Sequence, residues 1–209
     1  MIGPSMDRGI TRTCMTGLVM MLVIGASRGF ASGEQPLVIF EMTGTVDIIA
    51  GTPPFSVRKG DSLRGTFSFH PDSADSYSST SQGHYLQEPP AAVEFTLGDI
   101  VFHSDPKTFP EYYVDIENDD ASVEPVRDIF RWVASDPILA ASFGVEEIQA
   151  NMILQNLNAE AFTDDSLPSQ LKTHDFVGQL FLIASSQIGP REKTSFWHLG
   201  VRVNSIQRK

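Results

Sequence analysis

Apolar and polar residues alternate one by one along several stretches of this chain. A side-chain period of two is compatible only with extended strands that bury one face. In Phe40-Glu41-Met42-Thr43-Gly44-Thr45-Val46-Asp47-Ile48 the even positions are apolar or glycine and the odd ones polar. Leu63, Gly65, Phe67 and Phe69 alternate with Arg64, Thr66, Ser68 and His70, and Val93, Phe95 and Leu97 with Glu94 and Thr96. Ile148, Ala150, Met152 and Leu154 do the same, with Ile153 the exception on the polar side, and so do Trp197, Leu199, Val201 and Val203. Gln179 to Ser185 (QLFLIAS) is more continuously apolar and reads as a strand buried on both faces.

Turn-forming clusters punctuate these runs: Thr52-Pro53-Pro54, Lys59-Gly60-Asp61, Gly98-Asp99, Glu117-Asn118-Asp119-Asp120 and Ile188-Gly189-Pro190. Leu97-Gly98-Asp99-Ile100 has the form of a hairpin, with Gly-Asp as a two-residue turn joining 92–97 to 100–103. Pro71 to Ser81 is rich in Ser and Asp and reads as a long surface loop. Residues 122–143 carry both periods. Val126, Ile129, Phe130 and Val133 fit a helix face, whereas Phe130, Trp132 and Ala134 fit a strand. The neighbouring strands favour a strand at 128–134 with a helix close behind, and Pro137 stops either one. Short strands separated by turns predict an all-β chain: an antiparallel β-sandwich, jelly-roll-like, with at most one short helix around 122–143.

The first thirty residues follow a different logic. Arg8 and Arg12 precede Met15 to Ala26, an uncharged run of 12 residues, and Gly29-Phe30-Ala31 supplies small residues at −3 and −1 of a cleavage site. Basic, apolar and small segments in that order make a secretory signal peptide. The run is too short for a membrane span, which takes about 20 residues. The expected organisation is a signal peptide at 1–31 and a single domain at 32–209, with no span in the mature chain and a secreted or periplasmic address. Cys14, the chain's one cysteine, leaves with the leader. The mature domain then has neither a disulfide nor a thiol nucleophile. Against 15 Lys and Arg stand 26 Asp and Glu, a formal charge of −11. That excess repels phosphate backbones and argues against a nucleic-acid partner.

Chemistry-bearing motifs are few. Gly25-Ala26-Ser27-Arg28-Gly29 matches the G-x-S-x-G nucleophile elbow, but it lies in the leader, away from the strand and helix the elbow needs. His70, His84, His103, His174 and His198 show no zinc spacing and read as solvated surface imidazoles. No catalytic residue is assigned. A Ser-His-Asp arrangement using His84 or His174 stays open, because triads are set by space and not by sequence order. Asp72, Asp75, Asp115, Asp119 and Asp120 are the candidate ligands of a structural calcium ion, which takes six to eight hard oxygens. The same carboxylates would otherwise solubilise a face and block edge-to-edge pairing of strands. No other cofactor is implied. Tyr85, Tyr112 and Tyr113, with Tyr77 near the loop, are the candidate stacking platform for a polysaccharide, while Trp197 shares its face with Leu199, Val201 and Val203 and reads as core.

The order of these elements resembles a widespread group of bacterial exported β-sandwich proteins, many of which carry a PEP-CTERM sorting tail. Phe40-Glu41-Met42-Thr43-Gly44-Thr45-Val46 is similar to the group's opening strand, and Gly60-Asp61 through Gly65-Thr66-Phe67-Ser68-Phe69 to its second. Pro71-Asp72-Ser73-Ala74-Asp75-Ser76 is similar to the loop that follows. Phe162-Thr163-Asp164-Asp165-Ser166-Leu167-Pro168, with Asp175-Phe176 after it, is similar to a later turn. The resemblance spans about residues 38–206. It implies an exported all-β domain and carries over no catalytic residue. The chain departs from the sorted members in ending Val203-Asn204-Ser205-Ile206-Gln207-Arg208-Lys209, with no Pro-Glu-Pro motif and apolar span, which favours release into the periplasm or medium.

Three functional expectations follow. The first is an exported non-enzymatic protein with a structural, matrix or adhesion role in the envelope or extracellular space. The second is a polysaccharide-binding module, with or without calcium. The third is a secreted hydrolase with an unrecognised triad. Extracellular polysaccharide and envelope protein are the expected partners.

Overall fold

The computed structural model describes residues 36–77, 79, 81–104, 112–120, 127–171, 174, 176–189 and 192–209; of 120, 186–189 and 192–196 it describes the main chain. The segment 1–31, read from sequence as a leader, and the first part of the ambiguous stretch, 122–126, lie outside the described residues. Ten strands follow one another: β1 (Val38–Gly51), β2 (Ser62–Phe69), β3 (Gln82–Leu86), β4 (Val93–Leu97), β5 (Ile100–Ser104), β6 (Tyr113–Asp120), β7 (Arg127–Ser135), β8 (Glu147–Asn156), β9 (Val177–Gly189) and β10 (Glu192–Arg208). One helix, α1 (Pro137–Phe143), sits between β7 and β8. All pairings are antiparallel, and one unbroken ladder runs β3-β6-β7-β8-β9-β10-β1-β2-β4-β5. Among the described residues the chain is therefore all-β and antiparallel with one short helix, built as a single sheet curled on itself. Among the described residues no helix is long and apolar enough to cross a membrane.

The curl is visible in the rings. β2 and β7 are far apart in the ladder, yet Phe67 on β2 lies 6.0 Å from both Phe130 and Trp132 on β7, and Phe69 lies 6.0 Å from Phe130. Phe40 on β1 stacks on Phe67 at 5.1 Å. Phe40, Phe67, Phe69, Phe130 and Trp132 are fully buried. Burying each such side chain is worth about 1.5–3 kcal/mol. Ring pairs at these separations add about 0.5–1.5 kcal/mol each. The inward residues are those the alternation marks, with Ile148, Ala150, Met152 and Leu154 on β8 as the most regular case.

Two bulges adjust the phase. The β1–β10 register shifts between Val46 and Ile48, so Asp47 stands out of the pairing. An extra residue turns every later side chain over. Ile48, inward by the simple alternation, is 38% exposed, and Ile49 packs against the core instead. A second shift opposite Thr43 and Gly44 lets Ile206 return to the core at the end of β10. The QLFLIAS strand also differs from its reading. Leu180, Leu182 and Ala184 are buried, but Phe181 and Ile183 are only half-buried, so the described residues cover one face of β9 more fully than the other.

Local signals behave as their chemistry dictates. In the β4–β5 hairpin Leu97 pairs with Ile100, and Gly98 takes φ +59°, the positive value a two-residue turn needs at its first central position. Residues 127–135 form a strand and a helix follows at once. Pro137 opens that helix rather than stopping it, since the first helical position needs no N–H donor. Asp136 caps it: Oδ1 accepts from Leu139 N at 2.8 Å, and Oδ2 accepts from His103 N on β5 at 2.8 Å.

Asp128 is the most buried acid of the described residues, with no exposed surface. Its Oδ1 accepts from Asp119 N at 3.0 Å, and its Oδ2 from Ala161 N at 2.7 Å and Phe162 N at 2.9 Å. It ties β6 and the loop after β8 to β7. Replacing Asp128 by Ala strands three amide donors, each costing about 1–3 kcal/mol. Urea unfolding of Asp128→Ala should show a loss of at least about 3 kcal/mol; a loss under about 1 kcal/mol, within the range of ordinary surface substitutions, would remove the brace role.

Candidate functional site

At one end of the ladder β3, β6 and β7 lie side by side, and their registers put three charged or titratable residues in one row. His84 pairs with Asp115, and Asp115 with Arg131. These strands alternate: Val114, Ile116, Phe130 and Trp132 point to the core, so Asp115 and Arg131 point outward. His84 Nδ1 lies 2.5 Å from Asp115 Oδ1. Arg131 donates from Nε at 2.9 Å and from Nη2 at 2.5 Å to Asp115 Oδ2. Burial works against the guanidinium charge, but the Asp115 hydrogen bonds and charge more than offset it and raise its pKa above the ordinary value. The Asp115 side chain is only 8% exposed. Both of its oxygens are engaged, so the carboxylate orients the imidazole rather than meeting solvent.

Two rings lie against the imidazole. Tyr113 lies 4.8 Å from His84, and Tyr77 stacks on it at 5.2 Å and 23°. Tyr77 belongs to the 70–81 loop, which is fastened to the outer edge of β3. Asp75 Oδ1 accepts from His84 N at 2.8 Å and from Tyr77 N at 2.9 Å, while Ser76 N and Oγ both donate to the His84 carbonyl, at 2.9 and 3.0 Å. With Nδ1 taken up by Asp115, His84 Nε2 is the ring nitrogen left for a further hydrogen bond. The arrangement presents an oriented ring nitrogen beside the exposed Tyr77 ring. Such a nitrogen can exchange a proton or hydrogen-bond a ligand hydroxyl.

A shallow cleft of about 320 Å³ lies along the same strand, lined by His70, Asp72, Ser73, Ala74, Leu86 and Glu88. His70 is 4% exposed and is not the solvated imidazole its strand position suggests. It ends β2 where the chain turns inward against the β3 end: its N donates to Gln87 Oε1 at 2.8 Å, and its Nε2 lies 3.1 Å from the Glu88 carbonyl. A carbonyl only accepts, so Nε2 carries the proton.

The residues singled out from sequence separate into different places. Tyr85 and Tyr112 are buried and form no stacking platform, because both rings point to the interior. Tyr85 OH donates to the Asp165 carbonyl at 2.8 Å, and Tyr112 OH to the Ser68 carbonyl at 2.7 Å. Burial, with the charges of Asp75, Asp165 and Asp164 behind it, pushes the Tyr85 phenol up to about 12; burial alone raises that of Tyr112 further. Gly83 makes room for the first bond, since a Cβ there would meet the Tyr85 ring at 2.5 Å and the Asp165 carbonyl at 2.6 Å. Tyr113 is half-buried against His84. Asp72 is exposed at the cleft, Asp75 holds the loop to β3, and Asp115 holds His84 and Arg131. Asp119 is exposed with φ +55°, and Asp120 pairs with Arg127 in the ladder, its side chain outside the described residues. The five do not converge: among the described residues no three His, Cys, Asp or Glu side chains are grouped to hold a metal ion. His174 is exposed before β9, remote in sequence from this row.

Sequence reasoning passed over Arg131, Asp128 and Asp136. Arg131 sits in the stretch with two competing periods, and only the β6–β7 register sets it opposite Asp115. Asp136 before Pro137 carried a legible signal, an acid just ahead of a first-turn proline. No family model, curated protein or solved structure matches the chain.

The buried phenols set an alkaline limit. A raised phenol pKa favours the neutral, folded form, so this stability is fully present below pH 10, the ordinary phenol value, and is lost as pH rises towards about 12. Unfolding free energy measured against pH should begin to fall near pH 10. The fall should be shallower in Tyr85→Phe, which itself costs about 1 kcal/mol at neutral pH for the lost hydrogen bond. An unchanged alkaline slope in that variant would count against the assignment.

Asp75 also shields an edge. Asp75→Ala frees the outward N–H of His84, and sedimentation velocity should then show concentration-dependent self-association relative to the parent chain. A variant that stays as dispersed as the parent removes Asp75 from the edge-guarding role.

Proposed function

We propose that this chain is an exported, non-enzymatic β protein with a structural, matrix or adhesion role in the cell envelope or extracellular space, akin to the PEP-CTERM-type group its motifs resemble. The observation that carries the reading is the use made of four carboxylates, three of them buried and Asp75 exposed. Asp75, Asp115, Asp128 and Asp136 each join segments well separated in the chain. They act as cross-links in a domain whose one cysteine, Cys14, belongs to the leader. A protein released without disulfides has to resist unfolding by packing and by such braces. The leader-like order of residues 1–31 and the acidic charge support export and solubility.

The oriented His84–Asp115 pair favours one second reading, a hydrolase in which His84 Nε2 serves as general base. Against it stands the Ser76 contact: Ser76 Oγ donates to the His84 carbonyl and not to its ring.

Expression of the full chain in a bacterial host tests both. The expected product starts near Ser32, fractionates outside the cytoplasm, pellets with washed envelope or matrix material, and leaves glycan and ester substrates unturned. A full-length chain retained in the cytoplasm sinks the proposal. Turnover abolished by His84→Gln, together with labelling by a serine-directed probe, would replace it with the hydrolase.

A further inference from the structure

We propose that the outer face of β3 and its loop, centred on Tyr77 and the outward Nε2 of His84, binds a neutral polysaccharide. This rests on the adhesion reading above and names its ligand class. A pyranose offers an apolar C–H face and a rim of hydroxyls, so its site combines an open aromatic ring with fixed polar atoms beside it. Tyr77 leaves 54% of its surface in water although one ring face lies on His84. Its position is fixed through the main chain by Asp75 and through the ring by His84, so little ordering remains to be done on binding. His84 is held at Nδ1 by Asp115 and against two rings, which leaves Nε2 as an oriented hydrogen-bonding atom for a hydroxyl, which can donate or accept.

The platform continues along the strand. Leu86 is 52% exposed, lies on the same face two residues on, and borders the cleft that holds Asp72 and Glu88. Those carboxylates accept hydroxyl hydrogens from an adjoining sugar unit. Charge narrows the class. A chain of formal charge −11, with acids lining the cleft and its Arg131 already spent on Asp115, repels a polyuronate or a phosphate polymer. An uncharged glycan meets no such barrier.

Isothermal titration of the full chain with cellohexaose, laminarihexaose, chitohexaose and maltohexaose, and with polygalacturonate as the anionic comparison, tests the site. The expected result is saturable binding of at least one neutral hexasaccharide. Tyr77→Ala should weaken it by about tenfold or more, the loss of one stacked ring, while Tyr77→Phe, which keeps the ring, stays near the parent. Far-UV circular dichroism and the unfolding midpoint verify that Tyr77→Ala is folded. No binding by any of the four, binding untouched by Tyr77→Ala, or tighter binding of polygalacturonate overturns the inference. Pelleting with matrix material separates the two levels. A chain that pellets but binds none of the hexasaccharides loses this site and keeps the adhesion role; one that binds them but never pellets keeps the site and loses that role.

Discussion

The packing of β2 rings on β7 rings is the contact on which the rest of the structure depends. Ten antiparallel strands in one ladder have no interior unless the ladder bends back on itself. Phe67 and Phe69 reaching Phe130 and Trp132 supply that closure, and Phe40 extends it along β1. Once the ladder is curled, the end of β2 lies against the end of β3: Gln87 accepts from His70 N, and Tyr112 reaches the Ser68 carbonyl. These polar seams are possible only because the rings bring the two ends together.

Closing a sheet in this way still leaves two outer strands, β3 and β5, and exposed edges invite pairing with other chains. Both are guarded by carboxylates. Asp75 takes the His84 N–H at one edge, and Asp136 takes the His103 N–H at the other while it starts α1. An acidic residue is suited to this, since it satisfies an amide as a charge-assisted acceptor and repels a second acidic copy. The negative charge that looks like bulk composition is thus partly placed at particular strand edges. The same device shapes the candidate site, because the Asp75 clamp is also what sets Tyr77 on His84.

Much of this was legible in the residues. The β8 alternation, the Gly98-Asp99 hairpin, the 71–81 loop and a strand at 128–134 with a helix close behind were read from side-chain period, turn residues and the neighbouring strands, although Pro137 opens the helix it was expected to stop. At Ile48 and Ile49 reading by period failed because of a single inserted residue. The bulge at Asp47 reverses Ile48 and Ile49, and no propensity marks it, because it answers to the partner strand β10. Among the histidines it is His70 that departs from its reading, while His103 and His174 are exposed. His70 stands on the polar side of its strand but at the seam of the curl, where both sides are covered.

By itself the sequence determined that the chain from residue 38 onward makes antiparallel strands with one buried face, that its cysteine lies in a leader-like segment, and that its charge is acidic. Those are properties of nearest neighbours and of sums along the chain. Which carboxylate meets which amide, that Tyr112 turns inward while Tyr113 flanks His84, and that Arg131 lies opposite Asp115 were decided by register and closure. They depend on pairings between residues far apart in sequence, such as Tyr85 with Asp165 and Asp128 with Phe162. An acid placed to bind calcium and an acid placed to pin a loop look alike in a sequence. Only the neighbours that the curled sheet delivers distinguish them.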